Sequence, residues 1–189
     1  MKFLKIKLIV ALLIANCLLQ GIDVSGNQSG EWIPENNPYN VIGYIVVPSQ
    51  EVLTIHPGVE VLFTGMFGIN VYGQIIAAGT ETDSISFSGA AQTEWDQIRL
   101  DNSEAEHYFS YCRIRDAYRG IASVDSPVEI DGCHFLNNEN GIFIGAIGNP
   151  DPPAILINNC LIENSLNHGI FILENSATIV ENCDICFSA

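Results

Sequence analysis

Val128-Glu129-Ile130-Asp131-Gly132-Cys133-His134-Phe135-Leu136-Asn137-Asn138-Glu139-Asn140-Gly141-Ile142-Phe143-Ile144 returns, altered in detail, as Ile155-Leu156-Ile157-Asn158-Asn159-Cys160-Leu161-Ile162-Glu163-Asn164-Ser165-Leu166-Asn167-His168-Gly169-Ile170-Phe171-Ile172. In both copies apolar residues alternate over short runs (Val128/Ile130, Cys133/Phe135, Ile155/Ile157, Cys160/Ile162), and a period of two is the mark of a strand with one buried side. Asn137-Asn138 and Asn164-Ser165 stand between the runs, and small polar residues of this kind tolerate tight bends. The Gly-Ile-Phe-Ile run follows at nearly the same distance each time.

The pattern extends in both directions. Cys112, Cys133, Cys160 and Cys183 fall at intervals of 21, 27 and 23 residues, each with an apolar residue two positions later. The longer interval holds one insertion, Gly148-Asn149-Pro150-Asp151-Pro152-Pro153, which reads as a loop. A unit of about 22 residues has no room for a helix of ten residues beside its strands, so leucine-rich and ankyrin-type repeats are excluded. Three short strands and three bends per unit make a coil that cannot bury its inner side alone; stacked coils bury it and pair every backbone group with the coil above and below. The expected fold is all-β, a right-handed parallel β-helix.

The first half follows the same rules less regularly: Tyr44-Ile45-Val46-Val47-Pro48, Val52 to Phe63, Ile69 to Thr80 and Ile85-Ser86-Phe87 are strand-like pieces separated by Gly, Pro and Ser. The runs "LTIHPGVEVLF" (53–63) and "INVYGQIIAAGTETDSISF" (69–87), followed by Trp95 and Ile98, resemble the opening coils of bacterial extracellular parallel β-helix proteins of the pectate-lyase-like superfamily, which begin with similar Pro-Gly-Val and Gly-Thr turns. The likeness runs from Tyr39 to Ala189. It implies a fold and little about activity, because this architecture carries lyases, hydrolases, adhesins and surface proteins alike.

Residues 1–21 are expected to be a signal peptide: Lys2, Lys5 and Lys7 precede an apolar run from Leu8 to Leu19 that is broken only by Asn16. Twelve residues rise ~18 Å as a helix, short of a bilayer core of ~30 Å, so no transmembrane span is expected in the mature chain. Lipid modification of Cys17 is the lesser alternative. Residues 22–38 are expected to lead into or cap the first coil, and 39–189 to form the β-helix. The last repeat stops part-way with no capping pattern, which predicts a truncated C-terminal end. Destination outside the cell, secreted or at the surface, follows from the signal.

Of 189 residues, 22 are acidic and 7 basic, for a formal charge of −15. Without the signal the chain keeps only four arginines against those 22, a charge of −18. Such a surface repels phosphate backbones and excludes nucleic acid as a partner. Arg99, Arg113 and Arg115 alternate with apolar neighbours and so point outward, and His134 takes the place of Arg113 one coil later. These four are expected to share one outer face, able to pair with the carboxylates of a polysaccharide or cell-surface glycan; ordinary ion pairs with Asp101, Glu104, Glu106 and Asp116 are the plain alternative. Cys112, Cys133, Cys160 and Cys183 are expected to form an interior ladder of thiols acting as small hydrophobes. A linear ladder supplies no tetrahedron, and Cys183 and Cys186, three apart on a strand, point to opposite sides, so neither a metal site nor a redox pair is expected. No cofactor is implied. Trp95 is expected to pack rather than to stack on a sugar. The leading reading is a non-enzymatic surface module that displays one side to a glycan or protein; the alternative is a polysaccharide lyase or glycoside hydrolase, or a fragment of one.

Overall fold

The structure, a computed structural model, describes residues 21–145, 151–173 and 177–187. Residues 1–20 of the expected signal segment, with Cys17, and the first part of the 148–153 loop, lie outside those residues. Among the described residues no helix is long and apolar enough to cross a membrane.

The chain winds as a parallel β-solenoid of about seven turns, about 23 residues per turn. Strands β1 (Ile22–Asn27), β2 (Gly30–Trp32) and β3 (Tyr39–Val47) open it. Then come triplets, one per coil: β4 (Val52–Ile55), β5 (Glu60–Phe63), β6 (Ile69–Val71); β7 (Gln74–Ala78), β8 (Ile85–Gly89), β9 (Trp95–Asp101); β10 (His107–Ser110), β11 (Cys112–Arg115), β12 (Ala117–Val124). Two further triplets follow: β13 (Val128–Asp131), β14 (His134–Leu136), β15 (Asn140–Gly145); and β16 (Ala154–Asn158), β17 (Leu161–Glu163), β18 (His168–Ile172). Strands β19 (Ala177–Glu181) and β20 (Asp184–Cys186) end the described part.

Like strands stack on like, all in parallel. Face 1 is β2-β4-β7-β10-β13-β16-β19. Strand β3 turns a corner, pairing through Tyr39–Val41 with β5 and through Ile45–Val47 with β6. It thereby joins face 2 (β5-β8-β11-β14-β17-β20) to face 3 (β6-β9-β12-β15-β18).

Period-two alternation holds in most strands, β12 (buried from Gly120 to Val124) being an exception, and the inward residues form continuous rows. Val61, Phe87, Ile114, Phe135 and Ile162 make one row. Ile45, Ile69, Ile98, Ile121 and Ile142 make another, and all ten are fully buried. In the later coils each corner between faces 2 and 3 begins with a residue in the left-handed region: Asp116, Asn137 and Asn164, with φ of 63°, 55° and 54°. Asp and Asn occupy that region at the least cost after glycine. Each corner amide donates to the coil below, Asp116 to the Leu136 carbonyl and Asn137 to that of Glu163, so the bends are part of the stack. Ahead of Tyr39 the chain contributes strands of its own, since β1 pairs along β3 and β2 along β4. Trp32 stacks on Tyr39 with centroids 4.6 Å apart, placing an aromatic lid on the first interior layer.

Candidate functional site

Face 2 carries a groove of about 540 Å³ that holds expected residues. Its floor is an outward row set by strand register: Glu60, Ser86, Arg113 and His134 stand on four successive coils. Arg115 and Leu136 form the neighbouring row. Its wall is the bend from Thr82 to Ser84. That bend is pinned: the Asp83 amide donates to Thr80 Oγ1 at 3.0 Å, and the Asp83 carbonyl accepts from the amides of Thr80 and Gly58, each at 3.1 Å. A smaller hollow of about 210 Å³ lies along the same bend and shares Ser84, Arg113 and His134.

Three of the four expected residues therefore come together and one does not. Arg99 lies in β9 on face 3, between Asn70 and Ala122 of the adjoining coils, around a corner from the groove. Its Nε donates to Asp101 Oδ2 at 3.1 Å. The expectation of a single four-residue face is corrected on this point, because alternation tells inside from outside but not which of three outer faces a residue occupies. Arg115, itself exposed, stands 4.0 Å from Asp116 in a loose pair. Arg113 is exposed and makes no ion pair among the described residues.

Strand register also brings in a residue that the sequence reading missed. Glu163 continues the Arg115–Leu136 row one coil further, and its Oε2 lies 2.8 Å from His134 Nε2. The signal was present, since Glu163 follows Leu161 by two and Leu161 stands under His134. The carboxylate fixes the imidazole plane on the groove floor.

The interior thiols occupy one corner, just ahead of face 2. Cys112, Cys133 and Cys160 are buried and Cys183 is half-buried in the last described coil; none is in a disulfide. Ile85 holds the same row above Cys112, so the thiols continue an aliphatic column. Cys133 Sγ accepts from the Cys112 amide, and Cys183 Sγ from that of Cys160, both at 3.4 Å. Burial raises the Cys133 thiol well above its usual range. That thiol stays protonated and unreactive at neutral pH. Trp95 is fully buried, lies flat against Phe63 at 4.0 Å and donates through Nε1 to the Arg115 carbonyl at 2.8 Å, so its ring is closed to ligands.

Face 3 bears an outer pile of planar groups: the Arg119 guanidinium lies 4.6 Å from the Phe143 ring centre, and Phe143 stacks on Phe171 at 5.6 Å. Ring and guanidinium faces cover one another there, so this row joins coils rather than offering a platform. Among the described residues no cluster of three or more His, Cys, Asp or Glu is arranged to hold a metal ion. The chain has no significant match among family models, curated proteins or solved structures, so the groove is read from its own chemistry.

Proposed function

We propose that the protein is a non-enzymatic β-solenoid module of the cell exterior, secreted or held at the surface, whose face 2 groove binds an acidic polysaccharide. The observation that carries this reading is Arg113. On a chain of net charge −15 its guanidinium is exposed along a concave surface and engaged by no carboxylate among the described residues. A planar fork of donors matches a carboxylate bidentately. The side chains of Thr82, Ser84 and Ser86 around it supply hydroxyls for the ring oxygens of a sugar. Glu60 and Asp83 border the same space and repel acidic groups, which confines the anion to the Arg113 end. The exterior location rests on the basic and apolar residues 2–19, and membership of the pectate-lyase-like superfamily rests on the runs 53–63 and 69–87; both are part of the proposal.

Binding to polygalacturonate, followed by calorimetry or affinity electrophoresis, tests it. Loss of one bidentate, charge-assisted contact is worth about 1.5–3 kcal/mol, so Arg113→Ala should weaken binding roughly 10- to 100-fold. Arg99→Ala, around the corner, should leave it unchanged. Equal loss in both variants, or no binding by the native chain, would overturn the reading. A second reading, a polysaccharide lyase or hydrolase, is favoured by the His134–Glu163 contact, which orients a proton-transferring ring beside an arginine. Incubation with polygalacturonate or alginate, with and without calcium, should yield neither unsaturated, ultraviolet-absorbing product nor new reducing ends; the appearance of either would establish the second reading.

A further inference from the structure

His107 is a fully buried ionisable side chain in the solenoid interior. It opens β10 on face 1, one coil below Ile75, in the row that continues to Val128 and Ile155. The β7–β10 register begins only at Ile76 and Tyr108. Above that point the chain from Asn102 to Glu106 makes a longer corner than its neighbours, and side chains replace the missing ladder. Ser103 Oγ donates to the Gly73 carbonyl at 2.6 Å, and Gln74 Nε2 donates to the Glu106 carbonyl at 2.6 Å. The Ile75 amide donates to His107 Nδ1 at 3.2 Å. Because Nδ1 accepts, the ring is the neutral tautomer with its proton on Nε2, and that buried Nε2 has no partner among the described residues.

Of these three bonds only one depends on a proton. A protonated ring would turn Nδ1 into a donor facing the Ile75 donor, and would place a charge among apolar neighbours. Strand β7 brings Ile75 and the uncharged Gln74 against it; β13 brings Val128, with Glu129 pointing outward. The corner residues Glu104 and Glu106 are exposed to water, and on faces 2 and 3 the inward neighbours at this level, such as Leu100, are apolar or hydroxylic. Among the described residues no facing carboxylate offsets the charge. Burial alone holds the His107 ring down at about 4, against an ordinary value of 6.5.

We propose that His107 is an acid-sensitive latch between the coils of β7 and β10: its neutral ring closes the gap left by the long corner, and protonation releases the Ile75 amide and opens that stretch of face 1. The sign follows from linkage. A base whose folded-state value is depressed contributes fully above its unfolded value of 6.5, and the contribution is lost as pH falls from 6.5 toward 4.

Hydrogen exchange of the amides in β7 and β10, corrected for the intrinsic pH dependence, measures the opening directly. The variant His107→Asn keeps an acceptor near the position of Nδ1 and cannot titrate. Between pH 7 and pH 4.5 the native chain should gain exchange at Ile75 and its neighbours by roughly fiftyfold over His107→Asn, the ratio expected for a drop from 6.5 to about 4. Equal responses in the two chains would overturn the latch. Should the variant fail to fold, the nitrogen spectrum of the native ring decides: protonation of Nε2 at neutral pH and a midpoint well below 6 support the proposal. A proton on Nδ1, or an ordinary midpoint, ends it.

Discussion

Asn138 shows how one polar side chain can hold a corner. It is fully buried, its Oδ1 accepts from the Ala117 amide at 2.9 Å, and its Nδ2 donates to the Ile114 carbonyl at 3.0 Å. It thus satisfies one donor and one acceptor of the coil above. Asn138→Ala strands both backbone groups away from water, which should lower stability by about 2–4 kcal/mol and shift the urea midpoint accordingly. A change below about 0.5 kcal/mol would show that water takes over both partners. At this scale the sequence was informative about some residues and silent about others. The polar pairs Asn137-Asn138 and Asn164-Ser165 are legible as bends, and Phe135 or Ile162 as inward, because alternation and bend chemistry are local. His107 is not legible, because Glu106 and Tyr108 beside it give no sign that the ring faces the interior; that depends on the length of the preceding corner. Arg99 fails for a related reason, since its face is set by counting corners that leave no local mark.

Each coil is closed by a corner residue with positive φ, and the chemistry of that residue decides how well the strands on either side can register. At Asn137, φ is 55° and the amide donates to the Glu163 carbonyl at 3.2 Å. Glycine fits this conformation without a Cβ clash, whereas a β-branched residue does not. Asn137→Gly should therefore leave stability within about 0.5 kcal/mol of the native chain. Asn137→Val should cost about 1–3 kcal/mol. Thermal melts of the two variants measured together separate backbone strain from loss of the side chain, because both lack the amide group; equal destabilisation would mean that the asparagine side chain, not the dihedral, matters. The element scale also explains why the fold was more readable than the site. Strand, bend and inward row recur in every coil and so reinforce one another in sequence, while the groove depends on the pinned 80–84 bend, which occurs once.

Stacked coils depend on their immediate neighbours, so resistance to opening should follow how deeply each coil's interior residues are covered. The interior rows display such a gradient. Ile162 is fully buried, yet Ile185, the next residue in its row, is 42 % exposed; Val180 stands at 41 % where Ile157 above it is at 0 %. The first coils are different: β1 covers β3, and the Trp32–Tyr39 stack fills the layer beneath. Phe87 in the middle of the stack touches interior rows above and below, and Phe87→Ala should cost about 3–5 kcal/mol and lower protection from hydrogen exchange across several coils. Ile185→Ala removes a side chain already half in water, so it should cost about 1 kcal/mol or less and change exchange only in β17 and β20. Mapping protection coil by coil in both variants tests the idea. If Ile185→Ala loosened the chain as far up as β8, the solenoid would be opening as one unit, and coupling between neighbouring coils would have to be far stronger than burial of these rows provides.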